Sequence, residues 1–116
     1  MTHTHHAIDY VEIAVSDLDA AKAFYTSAFG WSLNDYGDDY AGIQGDDKEV
    51  GGLRLDSDVR PGGPLVLLWS DDLERSVEAI TAAGGTITAP IYSFPGGRRF
   101  HFADPSGNEL GVYSLD

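Results

Sequence analysis

The 116-residue sequence has no cysteine, a single methionine, and only 7 basic side chains against 19 acidic ones, a formal net charge of −12. Without cysteine, disulfides and thiolate chemistry are excluded. Without a Lys/Arg cluster, the electrostatic footprint that draws proteins onto nucleic-acid phosphates is missing, so no nucleic-acid partner is expected. Anionic membrane surfaces are disfavoured for the same reason, and no apolar run approaches the ~20 residues a membrane span needs. Residues 1–7 lack the cationic and apolar blocks of a signal peptide, so the cytoplasm is the expected location. The charge leaves room for a cationic or neutral small molecule, whose local concentration a negative field raises, or it serves solubility alone.

What is present is an internal repeat. Ile8–Val15 alternates and is followed by Ser16-Asp17-Leu18-Asp19, a helix start with acidic residues in its first turn. Leu18, Ala21, Tyr25 and Ala28 share one helical face, and Gly30 supplies a left-handed stop. Leu65–Trp69 then leads into Ser70-Asp71-Asp72-Leu73-Glu74, with Leu73, Val77 and Ile80 on one face and Gly84-Gly85 at the end. Leu18 and Leu73, Thr26 and Thr81, Gly30 and Gly85 are each 55 positions apart, which reads as a duplication. Three short strand-like segments follow each helix: Trp31–Tyr36, Tyr40–Gln44 and Glu49–Leu55 in the first half, Thr86–Ile91, Arg98–Ala103 and Glu109–Ser114 in the second. The expected fold class is α+β, with two tandem βαβββ modules forming curved mixed sheets around a concave groove. Residues 1–116 form one domain in this reading, with module one at 7–56, a linker at 57–64 and module two at 65–115.

Three segments, YVEIAVSDLDAAKAFYTSAFGW (Tyr10–Trp31), SDDLERSVEAITAAGG (Ser70–Gly85) and RRFHFADPSGNELGVY (Arg98–Tyr113), resemble the vicinal oxygen chelate superfamily of glyoxalases, bleomycin resistance proteins and extradiol dioxygenases. More narrowly, the second half is similar to a bacterial group that carries an FPGGRRFHF…DPSGNEL ending. The resemblance implies a divalent metal held in the groove by His, Gln or Glu from the first and last strands of the modules, with open positions for vicinal substrate oxygens. The matching positions in this chain are Tyr10, Leu65, Gly111 and, by a looser alignment, Gly52. Leucine and glycine have no donor, and a neutral tyrosine is a poor one. No metal ligand and no cofactor is therefore expected, although a divalent metal stays open.

Strand alternation sorts the remaining side chains. Val11, Ile13 and Val15 should face the helix, leaving Tyr10 and Glu12 for the groove; Leu65, Leu67 and Trp69 take the groove side of their strand. By similarity to resistance proteins, Arg99 and His101 face inward while Phe100 and Phe102 pack behind, and the last strand adds Tyr113. The candidate ligand-binding set is thus Tyr10, Glu12, Leu65, Leu67, Trp69, Arg99, His101 and Tyr113. Glu12 is a candidate general base or cation anchor; its structural alternative is a salt bridge to Arg98 or Arg99. His101 is a candidate proton shuttle or a packed, hydrogen-bonded residue. The His3, His5 and His6 cluster is read as part of a mobile terminus.

Four functions stay in play. The first is a metal-free binding protein for an aromatic or amphipathic small molecule. The second is a metal-independent lyase or isomerase using Glu12 as base, with His101 or Arg99 stabilising an oxyanion. The third is metal-dependent glyoxalase or dioxygenase chemistry, should the register differ. The last is a partner-binding module with a vestigial groove. A homodimer is expected from the family resemblance and from open sheet edges.

Overall fold

The computed structural model describes residues 3–59 and 63–115; residues 60–62 of the expected linker lie outside it. Two compact units form, one from Tyr10–Pro64 and the other from residues 3–9 together with 65–115. The first contains β1 (Ile8–Val15, from Tyr10 onward), α1 (Leu18–Phe29), β2 (Leu33–Asp35), β3 (Tyr40–Gln44) and β4 (Glu49–Leu55). The second contains β5 (Leu65–Trp69), α2 (Leu73–Ala82), β6 (Thr86–Phe94), β7 (Gly97–Ala103) and β8 (Glu109–Ser114). Each is a βαβββ module, as the duplication implies, and the fold class is α+β.

The two modules share one topology. In the first, β1 runs parallel to β4, which pairs antiparallel with β3, and β3 with β2. In the second, β5 runs parallel to β8, and β8, β7 and β6 follow antiparallel. Both registers put a glycine at the same point. Glu12 is opposite Gly52, and Leu67, its equivalent 55 residues on, is opposite Gly111. The pairing thus makes Gly52 the positional equivalent of Gly111, an alignment that is loose from residue spacing alone.

Local chemistry explains the helix ends. Asp17 and Asp72 cap the two helices, their carboxylates accepting from the backbone amides of Ala20 and Arg75 at 3.0 and 3.1 Å. Gly30, at φ +72, closes α1 in the left-handed conformation. Each unit has its own core. Leu18, Ala41, Ile43 and Leu53 are buried in the first, with Ile13, Val15, Ala21 and Tyr25 against them. Leu73, Phe100 and Val112 are buried in the second, joined by Leu68, Val77, Ile80 and Phe102. Ala28 departs from the expected helical face and is exposed; Trp31 stacks on Tyr25 at 4.6 Å near that end of α1.

Strand β6 also departs from expectation, running past Ile91 to Phe94. Pro90 lies inside it, which an inner strand would not tolerate. It is accommodated because β6 is the outermost strand of its module, and its pairing with β7 slips on both sides of Ala89. The apolar alternation therefore breaks while the backbone stays extended.

Candidate functional site

The eight candidate residues fall into two groups, each within one unit. Tyr10 and Glu12 belong to the first. Glu12 is 4% exposed, and a buried carboxylate needs partners for both oxygens. Arg54 on β4 supplies its Nε–H to one oxygen at 3.2 Å, and the Tyr40 hydroxyl on β3 donates to the other at 3.0 Å. Tyr40 and Tyr10 join through their hydroxyls at 2.8 Å, and Arg54 reaches on to Asp56 at 3.0 Å. Burial raises the Tyr10 phenol from its ordinary value of 10.0 to about 12. Burial, followed by the adjacent Glu12 charge, pushes Tyr40 upward as well. Both phenols are thus held neutral, as donors, around the Glu12 carboxylate. Arg54 and Tyr40 were not among the sequence candidates. Their signal was indirect: Gly51-Gly52 inside a strand marks a close approach by something bulky.

That bulky group is Tyr40. A β-carbon on Gly52 would overlap the Tyr40 hydroxyl and ring end. In the second unit a β-carbon on Gly111 would overlap Leu67. The two equivalent strand positions are therefore both overlain by the ends of neighbouring side chains, which would have to move for a side chain to grow from either. Tyr10, Gly52, Leu65 and Gly111 do not fit a metal by donor chemistry: glycine and leucine carry no donor, and Tyr10 is held as a neutral phenol. Among the described residues, no group of three His, Asp or Glu side chains is disposed to hold a metal ion.

The other six candidates share one face of the second unit, opposite α2. Register aligns Trp69 with Tyr113, Tyr113 with Arg99, and Arg99 with Tyr92, in one row across four strands. Trp69 and Tyr113 meet edge to face at 5.2 Å. The Arg99 guanidinium lies 5.7 Å from the Tyr92 ring centre and 5.9 Å from that of Phe94, and its Nε–H donates to the Tyr92 hydroxyl at 2.6 Å. His101 is held between the Tyr92 hydroxyl at 3.1 Å and the Glu109 carboxylate at 3.5 Å. Leu65 and Leu67 continue the face, with Leu67 buried beside Gly111. Phe100 and Phe102 pack behind, toward α2, as alternation requires.

The histidine-rich segment corrects the expectation of a mobile terminus. The His6 backbone N–H donates to the Trp69 carbonyl at 2.7 Å, and the Trp69 N–H to Ala7 at 3.0 Å. The His6 ring bonds the Ser76 hydroxyl at 2.9 Å, which meets Ser70 at 2.7 Å, and His5 Nδ1 accepts from the Asp71 amide at 3.0 Å. His3 stacks on Trp69 with ring centres 3.9 Å apart and planes 11° from parallel. Its Nδ1 contacts both oxygens of Asp9, at 3.1 and 3.2 Å. Asp9, its side chain only 5% exposed, also accepts from the Tyr113 hydroxyl. Charge and periodicity carry no trace of this docking, which apart from the His3–Asp9 contact depends on partners more than sixty residues away. Two cavities, about 440 and 260 Å³, lie elsewhere, on the α2 side near His6, Ser76 and Ala79. They hold none of the candidate residues, and the candidate face is defined by side-chain geometry rather than by cavity size.

Known proteins place this architecture. The family model described as glyoxalase/bleomycin resistance protein/dioxygenase superfamily matches residues 7–112. The chain is 27% identical, over 93% of its length, to the Mycobacterium bovis protein named "Putative glyoxylase CFP32". It is 30% identical, over 90% of its length, to the "Anthracycline biosynthesis protein DauV" of a Streptomyces species. It spans about half, 45%, of the length of each. Among solved structures, the Mn(II)-bound glyoxalase of Novosphingobium aromaticivorans superposes with a TM-score of 0.69 at 25% identity, covering 98% of this chain and 40% of that one. The chain belongs to the glyoxalase/bleomycin resistance protein/dioxygenase superfamily.

Proposed function

We propose that this chain is a metal-independent binding protein for a small aromatic or amphipathic molecule, which it takes on the Trp69, Tyr113 and Arg99 face of its second unit. The observation that supports the reading is the donor chemistry at the positions matching the family's metal ligands: Gly52, Leu65 and Gly111 carry no donor atom, and Tyr40 and Leu67 lie over the two glycines. What remains along the Trp69, Tyr113 and Arg99 row is flat rings with one guanidinium, which suits stacking. The lyase or isomerase reading is less well supported. Glu12 is 4% exposed and held by Arg54 and Tyr40, so it presents little of its carboxylate to a substrate. His101 is likewise engaged on both ring nitrogens. In this reading the protein acts in the cytoplasm as a homodimer, with the outer strands β2 and β6 as the candidate pairing edges.

The test is calorimetric titration of chelator-treated protein with 1-naphthol, a neutral planar amphiphile, before and after addition of Mn(II) or Zn(II). Saturable binding that the metals leave unchanged, and that Trp69→Ala weakens at least about tenfold through loss of a stacking anchor, is expected. Binding that appears only with a metal, or its absence in every condition, would overturn the reading.

A further inference from the structure

His3 occupies the surface on which an aromatic ligand would stack. Its ring lies flat on Trp69, and Tyr113 stands against it edge-on, 88° from its plane at 6.3 Å. Its Nδ1 meets both oxygens of Asp9. A carboxylate only accepts, so Nδ1 carries the proton and donates. The opposite nitrogen, Nε2, is buried and has no hydrogen-bond partner. The chain is bent to reach this arrangement: His6 holds a left-handed φ of +64°, and its backbone and side chain are pinned by Trp69 and Ser76.

We propose that the recess formed by Trp69, Tyr113 and Asp9 is a binding site for planar aromatic cations with in-plane N–H donors, and that His3 is a resident surrogate which such a ligand displaces. This rests on the binding reading above and gives it a ligand class. The recess dictates the class. Trp69 accepts a flat ring face, Tyr113 stands beside the stack as a side wall, and the nearly buried Asp9 carboxylate at the ring edge accepts N–H groups and repels anions. Both carboxylate oxygens are within reach of one edge, the geometry that suits a two-pronged donor such as an amidinium. Imidazole meets these demands incompletely, because its second nitrogen is buried unpaired. A ligand with carbon at that position would leave no such orphan. Arg99, the cation next along the row, turns its guanidinium onto Tyr92 and Phe94. The net charge of −12 favours the approach of a cation.

The test uses the full chain and an isosteric pair of probes, benzamidine and benzoate, titrated calorimetrically into wild type, His3→Ala, and His3→Ala with Asp9→Asn. A site self-occupied nine-tenths of the time loses about tenfold in apparent affinity, so His3→Ala should bind benzamidine at least tenfold more tightly than wild type. Adding Asp9→Asn should erase that gain, and benzoate should bind to none of the three. Nuclear magnetic resonance of the wild type reads the same event without any substitution, since the His3 ring signals should shift as benzamidine saturates the protein. Equal benzamidine affinity in wild type and His3→Ala would overturn the proposal. So would a His3→Ala gain that survives Asp9→Asn, benzoate binding as well as benzamidine, or unmoved His3 signals at saturation. Any of these with 1-naphthol binding intact sinks the surrogate and leaves the binding protein standing. Failure of both probes unless Mn(II) is present sinks the metal-independent reading itself.

Discussion

Replacing Gly52 with alanine should destabilise the protein through one side chain, Tyr40. Gly52 has an ordinary negative φ, so alanine on an otherwise open strand would stabilise by about 0.4–1 kcal/mol through the unfolded chain. Here the added β-carbon would overlap the Tyr40 ring end, and Tyr40 must swing away. It then loses its bond to the Glu12 carboxylate, of the kind that contributes about 1.5–3 kcal/mol, and its bond to Tyr10, about 1 kcal/mol. After the glycine term is subtracted, the net loss is about 2–3 kcal/mol. For a domain of this size that lowers the melting temperature by roughly 8–12 °C. The assay is a double-mutant cycle by urea denaturation, with Tyr40→Ala as the second change. In that background the space is open, and Gly52→Ala should become neutral or stabilising by up to about 1 kcal/mol. If Gly52→Ala costs less than about 0.5 kcal/mol in wild type, or the same amount in both backgrounds, Tyr40 is not what fills the metal-ligand position.

Two pH predictions follow from the titratable groups. Tyr10, raised to about 12, contributes stability that is fully present below its ordinary value of 10.0 and is lost as pH rises through 12. Tyr10→Phe should therefore flatten the decline of the urea midpoint between pH 10 and 12, without abolishing it, because Tyr40 shifts in the same direction. At the acid end, the Asn108 side chain and backbone hydrogen bonds hold Asp104 below its ordinary 3.8. Its contribution is present above 3.8 and is lost as pH falls through the lowered value, so Asp104→Asn should make the acid limb of the stability profile shallower. An unchanged limb would mean that the Asp-Pro-Ser-Gly-Asn turn holds by its backbone alone.

Periodicity and caps were enough to read most of the fold. Tyr40–Gln44, Glu49–Leu55, Leu65–Trp69 and Glu109–Ser114 have the bounds their turn residues imply, and the two helices begin where Ser16–Asp19 and Ser70–Glu74 signal a start. These are local signals, written within a few residues. The candidate site was legible by face and not by partner. Alternation put Glu12 opposite the helix side of β1, but Arg54 and Tyr40 reach it through strand pairings that join residues 42 and 28 positions apart. The extension of β6 through Pro90 was hidden because an outer strand with a slipped register obeys neither the alternation nor the proline rule of an inner one.

Strand β1 is divided in its loyalties: Ile8 and Asp9 pack with the second unit, and the residues from Tyr10 onward with the first. During synthesis the histidine segment leaves the ribosome some sixty residues before Trp69 and a hundred before Tyr113, so its contacts with the second module form only after nearly all of that module has emerged. If His3 covers Trp69 as proposed, a tag fused ahead of residue 3 acts on the same contacts a ligand must displace, so preparations tagged at opposite ends should differ in ligand affinity.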